Sequence, residues 1–181
     1  MNARSCWLAL GCLVAAAAVW AQPAAGPRLL FAGVAERLPA ADQQAIFRLL
    51  DYRVAPGGKA LVAPDCGEIA HETQVLDLNS DGVPEVLVIA GNGCTSGHTG
   101  SSVFLFVKNA QGRYTQQLGF PGASVTPLST RSQGWQDLRI GTAGFCEPVW
   151  AWKGAAYDLQ CSVETQRRGC QGMGPVKLCR R

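Results

Sequence analysis

The alternation of apolar and polar positions divides the chain into one helical stretch followed by a series of strands. Residues 39–51 predict a helix. Pro39 suits a first helical turn, Asp42 favours the positive N-terminus, and Ile46, Phe47, Leu49 and Leu50 gather on one side. Pro56-Gly57-Gly58 ends it, and the apolar stripe it leaves needs a sheet to pack on. Residues 60–63 allow one short strand. Residues 73–77, 85–90 and 101–107 then read as consecutive strands, the last two apolar on both faces, as central strands covered on both sides are. Residues 113–118, 137–140, 149–152 and 156–161 continue the series, divided by Asn109-Ala110-Gln111-Gly112, Phe120-Pro121-Gly122 and Lys153-Gly154. The fold class expected is mainly β (α+β), a single antiparallel β-rich domain with one N-terminal helix, stapled by disulfides.

The connection into the second of these strands carries the chemistry. Asp77-Leu78-Asn79-Ser80-Asp81-Gly82-Val83-Pro84-Glu85 sets oxygen-bearing side chains at alternate positions around a glycine. A curling backbone with that spacing can turn them all inward on a hard cation, and calcium takes six to eight oxygen ligands. The ligand set expected is Asp77, Asn79, Asp81, the carbonyl of Val83, and Glu85. An EF-hand needs a bidentate Glu at the twelfth position, where Val88 stands, and a helix on each side; here the loop runs into the β-branched Val86-Leu87-Val88-Ile89. The loop and its strand resemble the calcium loop of FG-GAP or VCBS-type repeats, the blades of integrin-like propellers. That resemblance implies a structural calcium ion. The loop occurs once, so a multi-bladed propeller is not expected. A polar turn held by Asx hydrogen bonds and Gly82 is the competing reading. Gly91-Asn92-Gly93-Cys94 and Gly144-Phe145-Cys146-Glu147-Pro148-Val149-Trp150 resemble segments of small secreted bacterial proteins with one such loop, which implies no particular activity.

Residues 1–21 read as a signal peptide: Arg4 makes the start positive, an apolar run follows, and Val19-Trp20-Ala21 suits cleavage. The run is too short to cross a bilayer, so no transmembrane segment is expected in the mature chain. The protein is thus expected to be exported, periplasmic or secreted, with a β-rich domain over 22–164 and a basic, disulfide-tied tail over 165–181. Removal of the leader leaves Cys66, Cys94, Cys146, Cys161, Cys170 and Cys179, an even number in an oxidising compartment, and no close Cys-x-x-Cys pair of the zinc type. Six cysteines allow fifteen connectivities. The pairing expected is Cys94 with Cys146, Cys170 with Cys179, and Cys66 with Cys161 by exclusion.

Charge is uneven: the last seventeen residues hold Arg167, Arg168, Lys177, Arg180 and Arg181 and no acid. Such a tail can touch an anionic surface, but its glycines and two cysteines favour a stapled irregular end, and no nucleic-acid partner is expected. The glycine-rich connection 91–102 carries His98 and several serines. Its spacing matches no nucleophile elbow, and no acid stands out to orient the histidine, so a rigid binding edge is the better reading. Trp150 and Trp152 share one sheet face and either stack on a glycan or fill the core, with the core favoured. The function expected is a non-catalytic binding or envelope-associated protein with a structural calcium loop, its partner an envelope protein or a glycan. An inhibitor or immunity protein against an envelope-directed enzyme, a secreted hydrolase and a carbohydrate-binding module are the alternatives.

Overall fold

The computed structural model describes residues 24–180. The leader expected at 1–21 lies outside the described residues. Ten strands form two antiparallel sheets. The larger has the order β1-β2-β3-β4-β5-β6, with β1 at Arg53–Val54, β2 at Leu61–Ala63, β3 at Gly67–Leu76, β4 at Glu85–Gly91, β5 at Ser102–Lys108 and β6 at Tyr114–Pro121. The smaller has the order β10-β9-β8-β7, with β7 at Ser124–Ser132, β8 at Trp135–Gly141, β9 at Cys146–Trp152 and β10 at Tyr157–Glu164.

The two-sided apolar pattern of β4 and β5 is explained by what covers them. Val86, Val88, Ala90 and Phe106 face an N-terminal layer made by α1 (Ala25–Leu30) and α2 (Ala40–Phe47), where Leu30, Phe31, Ile46 and Leu50 are buried. Leu87, Val103, Leu105 and Val107 face the opposite way, onto Val125, Leu138, Ile140 and Tyr157 of the smaller sheet. The chain is therefore a three-layer stack, helices on sheet on sheet, with the six-stranded sheet in the middle. The helix predicted over 39–51 stops at Phe47, which leaves Leu49 45% exposed instead of packed. An additional short helix, α1, precedes it. Asp42 is held by Lys108 at 2.7 Å, tying α2 to the end of β5.

The strand β7 was not expected from the sequence. Its residues are mostly Ser, Thr and Pro, it lies at the edge of its sheet, and its register with β8 slips between Pro127 and Arg131. Proline and a slipped register are tolerated only at such an edge.

All three expected disulfide pairings are overturned. The bonds are Cys66–Cys94, Cys146–Cys170 and Cys161–Cys179. Register explains each. β3 pairs with β4 with Ala70 opposite Gly91, so continuing the ladder outward brings the turn at Cys66 beside Cys94. Glu164 lies opposite Cys146, and the chain then turns back, with Thr165 donating to Phe145 O and Cys170 to Glu164 Oε1, so Cys170 returns to Cys146. Beyond that, Ser162 N–H donates to Lys177 O and Cys179 N–H to Ser162 O, which lays the tail parallel to β10 and sets Cys179 against Cys161. The tail is not a self-closed loop. It covers the free edge of β10, the place where an unpaired strand most needs cover.

Candidate functional site

The Asp77–Glu85 connection is built as a clasp between the two sheets. Leu78 is 1% exposed and enters the inter-sheet core. Its carbonyl accepts from Gln136 N–H at 2.9 Å and from the Arg131 guanidinium at 3.2 Å. Arg131 also donates to Gly134 O and Ser80 Oγ, and Tyr114 Oη donates to Pro84 O at 2.8 Å. Arg131, Gln136 and Tyr114 are the supporting residues the sequence did not disclose, because each lies far along the chain from the loop it holds.

Within the loop, Asp77 accepts from the N–H groups of Asp81 and Gly82, Asn79 from Asp81, and Asp81 from Val83 at 2.7 Å. Asn79 also donates to Asp81 Oδ2 at 2.8 Å. These are the Asx hydrogen bonds of the competing polar-turn reading: the loop curls on its own backbone N–H groups, and Gly82 makes the bend at φ +80°, a left-handed conformation that favours glycine. Glu85 sits at the base of the curl, 2% exposed, accepting from Leu78 N–H at 2.7 Å. Burial pushes its carboxyl up to about 7, the negative charges of Asp81 and Asp77 push the same way, and the Leu78 N–H opposes them. Val83, the expected carbonyl ligand, lies on the exposed arm of the loop. The donor set is all hard oxygen and fits calcium in kind, and a cation would offset the repulsion that Glu85 feels from the two aspartates. Among the described residues no three His, Cys, Asp or Glu side chains converge as a metal-holding group in this conformation.

The connection after β4 is rigid. Asn92 caps the single-turn helix α3 (Gly93–Ser96) by accepting from Cys94 and Thr95 N–H, while its amide donates to Cys66 O and Glu68 O. Gly91 has φ +145°, and a Cβ there would lie 2.7 Å from Thr95 Oγ1 and 2.8 Å from Ser96 Oγ. The serines are used internally: Ser96 and Ser102 share a hydrogen bond of 2.9 Å, and Ser101 donates to Gly122 O. Among the described residues none of them hydrogen-bonds to His98, which is exposed. Trp150 and Trp152 are half-buried on the inter-sheet face, stacked on Phe120 at 4.9 Å and on Trp135 at 4.3 Å. One face of each indole is already covered, which suits core packing better than a glycan platform.

A cleft lies elsewhere, on the outer face of the four-stranded sheet, where the stapled tail runs beside it. This cleft of about 820 Å³ is walled by Leu128, Val149 and Val163 and roofed by Leu178 beside the Cys161–Cys179 bond. Its polar groups include Asp137, 4% exposed, and Gln160. Asp137 Oδ1 and Gln160 Oε1 are buried and have no hydrogen-bond partner. Buried acceptors of this kind are costly unless something satisfies them. One sign of the place is legible in the sequence, the basic tail, whose Lys177 and Arg180 line the cleft. Among the described residues no helix is long and apolar enough to cross a membrane. No protein-family profile, curated protein or solved structure matches the chain.

Proposed function

We propose that the chain is an exported, non-catalytic binding protein, periplasmic or secreted, in which calcium braces the Asp77–Glu85 clasp and the cleft under the tail takes a small ligand. The observation that carries this reading is the cleft of about 820 Å³ between the outer face of the smaller sheet and the stapled tail, a size within the usual range of small-molecule sites. Export rests on the leader-like start and on three disulfides, which persist in oxidising compartments. The binding role is favoured over hydrolysis because the serines near His98 are tied to one another and to Gly122 instead of to a base.

Calcium would be coordinated by the Asp77, Asn79, Asp81 and Glu85 oxygens with the Val83 carbonyl, and its part would be structural. Fixing this loop fixes Leu78 between the sheets and the strand entry at Glu85. Two measurements test the reading. Thermal unfolding of the oxidised protein should show a calcium-specific rise over chelator, with magnesium as control; no rise removes the metal. Hydrogen exchange in the presence of separate sugars, short peptides and polyamines should show one class protecting β8, β10 and residues 177–180. Protection by none of them removes the binding role.

A further inference from the structure

We propose that the stapled turn after β10 docks the protein on an anionic membrane surface, with Phe145 inserted below the headgroups and Arg167 and Arg168 among them. The site shares no residue with the cleft. It therefore goes beyond the ligand-binding reading, and neither depends on the other.

Phe145 ends the connection between β8 and β9 with 56% of its surface exposed. A lone exposed apolar side chain is ordinary, but the backbone beneath this one is clamped. Phe145 O accepts from Thr165 N–H at 2.9 Å and from Thr165 Oγ1 at 3.3 Å, and the next residue, Cys146, is bonded to Cys170. Gly169 lies flat against it: a Cβ there would meet Phe145 O and stand 2.7 Å from Phe145 Cβ. The turn is thus built onto Phe145, and the ring is left in water. The same clamp places the charge. Gly169 N–H donates to Gln166 O at 2.8 Å, closing a turn whose two central residues are Arg167 and Arg168. Both are exposed, and among the described residues neither is in an ion pair. The acids closest in sequence are engaged: Glu147 pairs with Arg139 at 3.2 Å, and Glu164 accepts from Cys170 N–H at 3.3 Å. Beyond the bridge, Met173 N–H donates to Cys170 O, and Met173 is 63% exposed.

The combination of groups selects the partner. An exposed phenyl ring held beside two unpaired guanidinium groups, in a segment without acids from residue 165 onward, matches a surface that is anionic above and apolar below. A bilayer with anionic headgroups is such a surface. A nucleic acid or an acidic glycan would engage the arginines and leave Phe145 in water. A folded acidic protein would call for about 20 to 30 residues on each side, more than one turn and one loop tip present.

Co-sedimentation with vesicles tests this, using the oxidised chain from residue 22 onward, so that the apolar start does not itself bind lipid. The protein should bind vesicles of equimolar phosphatidylcholine and phosphatidylglycerol, not phosphatidylcholine alone, and should come off as salt is raised. Phe145→Ser should weaken binding about tenfold. Arg167→Gln with Arg168→Gln should weaken it about twentyfold, at roughly a factor of five for each charge. All three positions are exposed, so unfolding temperatures should stay at the parent value. Absence of binding to the anionic vesicles overturns the proposal. Equal binding by Phe145→Ser and the parent also overturns it, because the attraction is then charge alone. Retention on immobilised poly-glutamate without vesicle binding overturns it in favour of an acidic protein. None of these outcomes reads the cleft, which hydrogen exchange at β8, β10 and residues 177–180 tests separately.

Discussion

Substituting Glu85→Gln separates the two roles that the buried carboxyl can play. In chelator, burial and the charges of Asp81 and Asp77 outweigh the Leu78 N–H and Glu85's own backbone N–H, which favour its charged form, and its pKa rises from 4.5 to about 7. A carboxyl whose pKa is higher folded than unfolded binds its proton more tightly in the fold. Its contribution is fully present below about 4.5, falls as the pH climbs through the interval to about 7, and is constant above it. The loss is about 3 kcal/mol at 1.36 kcal/mol per pH unit. Glutamine keeps an acceptor for Leu78 and does not titrate, so the variant should lack this fall. Urea unfolding in chelator from pH 4 to pH 8 should therefore show the variant gaining on the parent by about 3 kcal/mol as pH rises. In calcium the order should reverse at pH 8, because a cation needs the charged carboxylate and the amide is a weaker ligand. Parallel pH profiles for the two proteins in chelator refute the burial argument, and an unchanged order in calcium refutes the ligand assignment.

Gly91→Ala should destabilise by about 1 to 3 kcal/mol in urea unfolding, since a Cβ meets Thr95 Oγ1 and Ser96 Oγ at a φ of +145°; a neutral effect would show that the loop after β4 can shift. Phe106→Ala, at a fully buried position between the helices and the middle sheet, should cost about 3 to 5 kcal/mol in the same assay, and a cost below about 1 kcal/mol would refute the three-layer packing. Cys161→Ser with Cys179→Ser opens a bridge of sequence separation 18, and the loop-closure model puts the loss at about 3 kcal/mol. The same double variant should speed hydrogen exchange at the backbone N–H of position 179, which in the parent donates to Ser162 O; unchanged exchange would mean that the tail is held without its staple.

The middle sheet was legible because its strands obey the simplest rule, apolar residues wherever a face is covered. β4 and β5 are covered on both faces and read as unbroken apolar runs; their observed bounds, Glu85–Gly91 and Ser102–Lys108, lie within a residue of those expected. β7 obeys a different rule. As an edge strand with one exposed face it needs few apolar residues, so Ser124–Ser132 carries little periodic signal, and Pro127 suggests a loop. Leu49 shows the opposite error. Its spacing from Ile46 and Phe47 fits a helix, yet the helix ends at Phe47, so the side chain points out.

The cysteines and the cleft were hidden for one shared reason. Pairing follows strand register, and register is fixed by side-chain packing across the sheet, which one strand's own sequence does not disclose. Once Ala70 is known to face Gly91, the Cys66–Cys94 bridge follows by counting along the ladder, whereas Cys146–Cys170 also needs the turn after Glu164 that brings Cys170 back. The third follows when the tail pairs with Ser162. That pairing also creates the cleft, because Leu178 roofs a sheet face whose Asp137 and Gln160 then have walls around them. Asp137 in the sequence is one acid in a short apolar strand, and an exposed, solvated carboxylate is the ordinary reading of it. In the fold it is 4% exposed and its Oδ1 has no hydrogen-bond partner. The same seventeen residues that look like a charged, irregular end thus close the sheet edge, complete two disulfides and supply the cations of the cleft, so deleting them should remove binding and edge protection together.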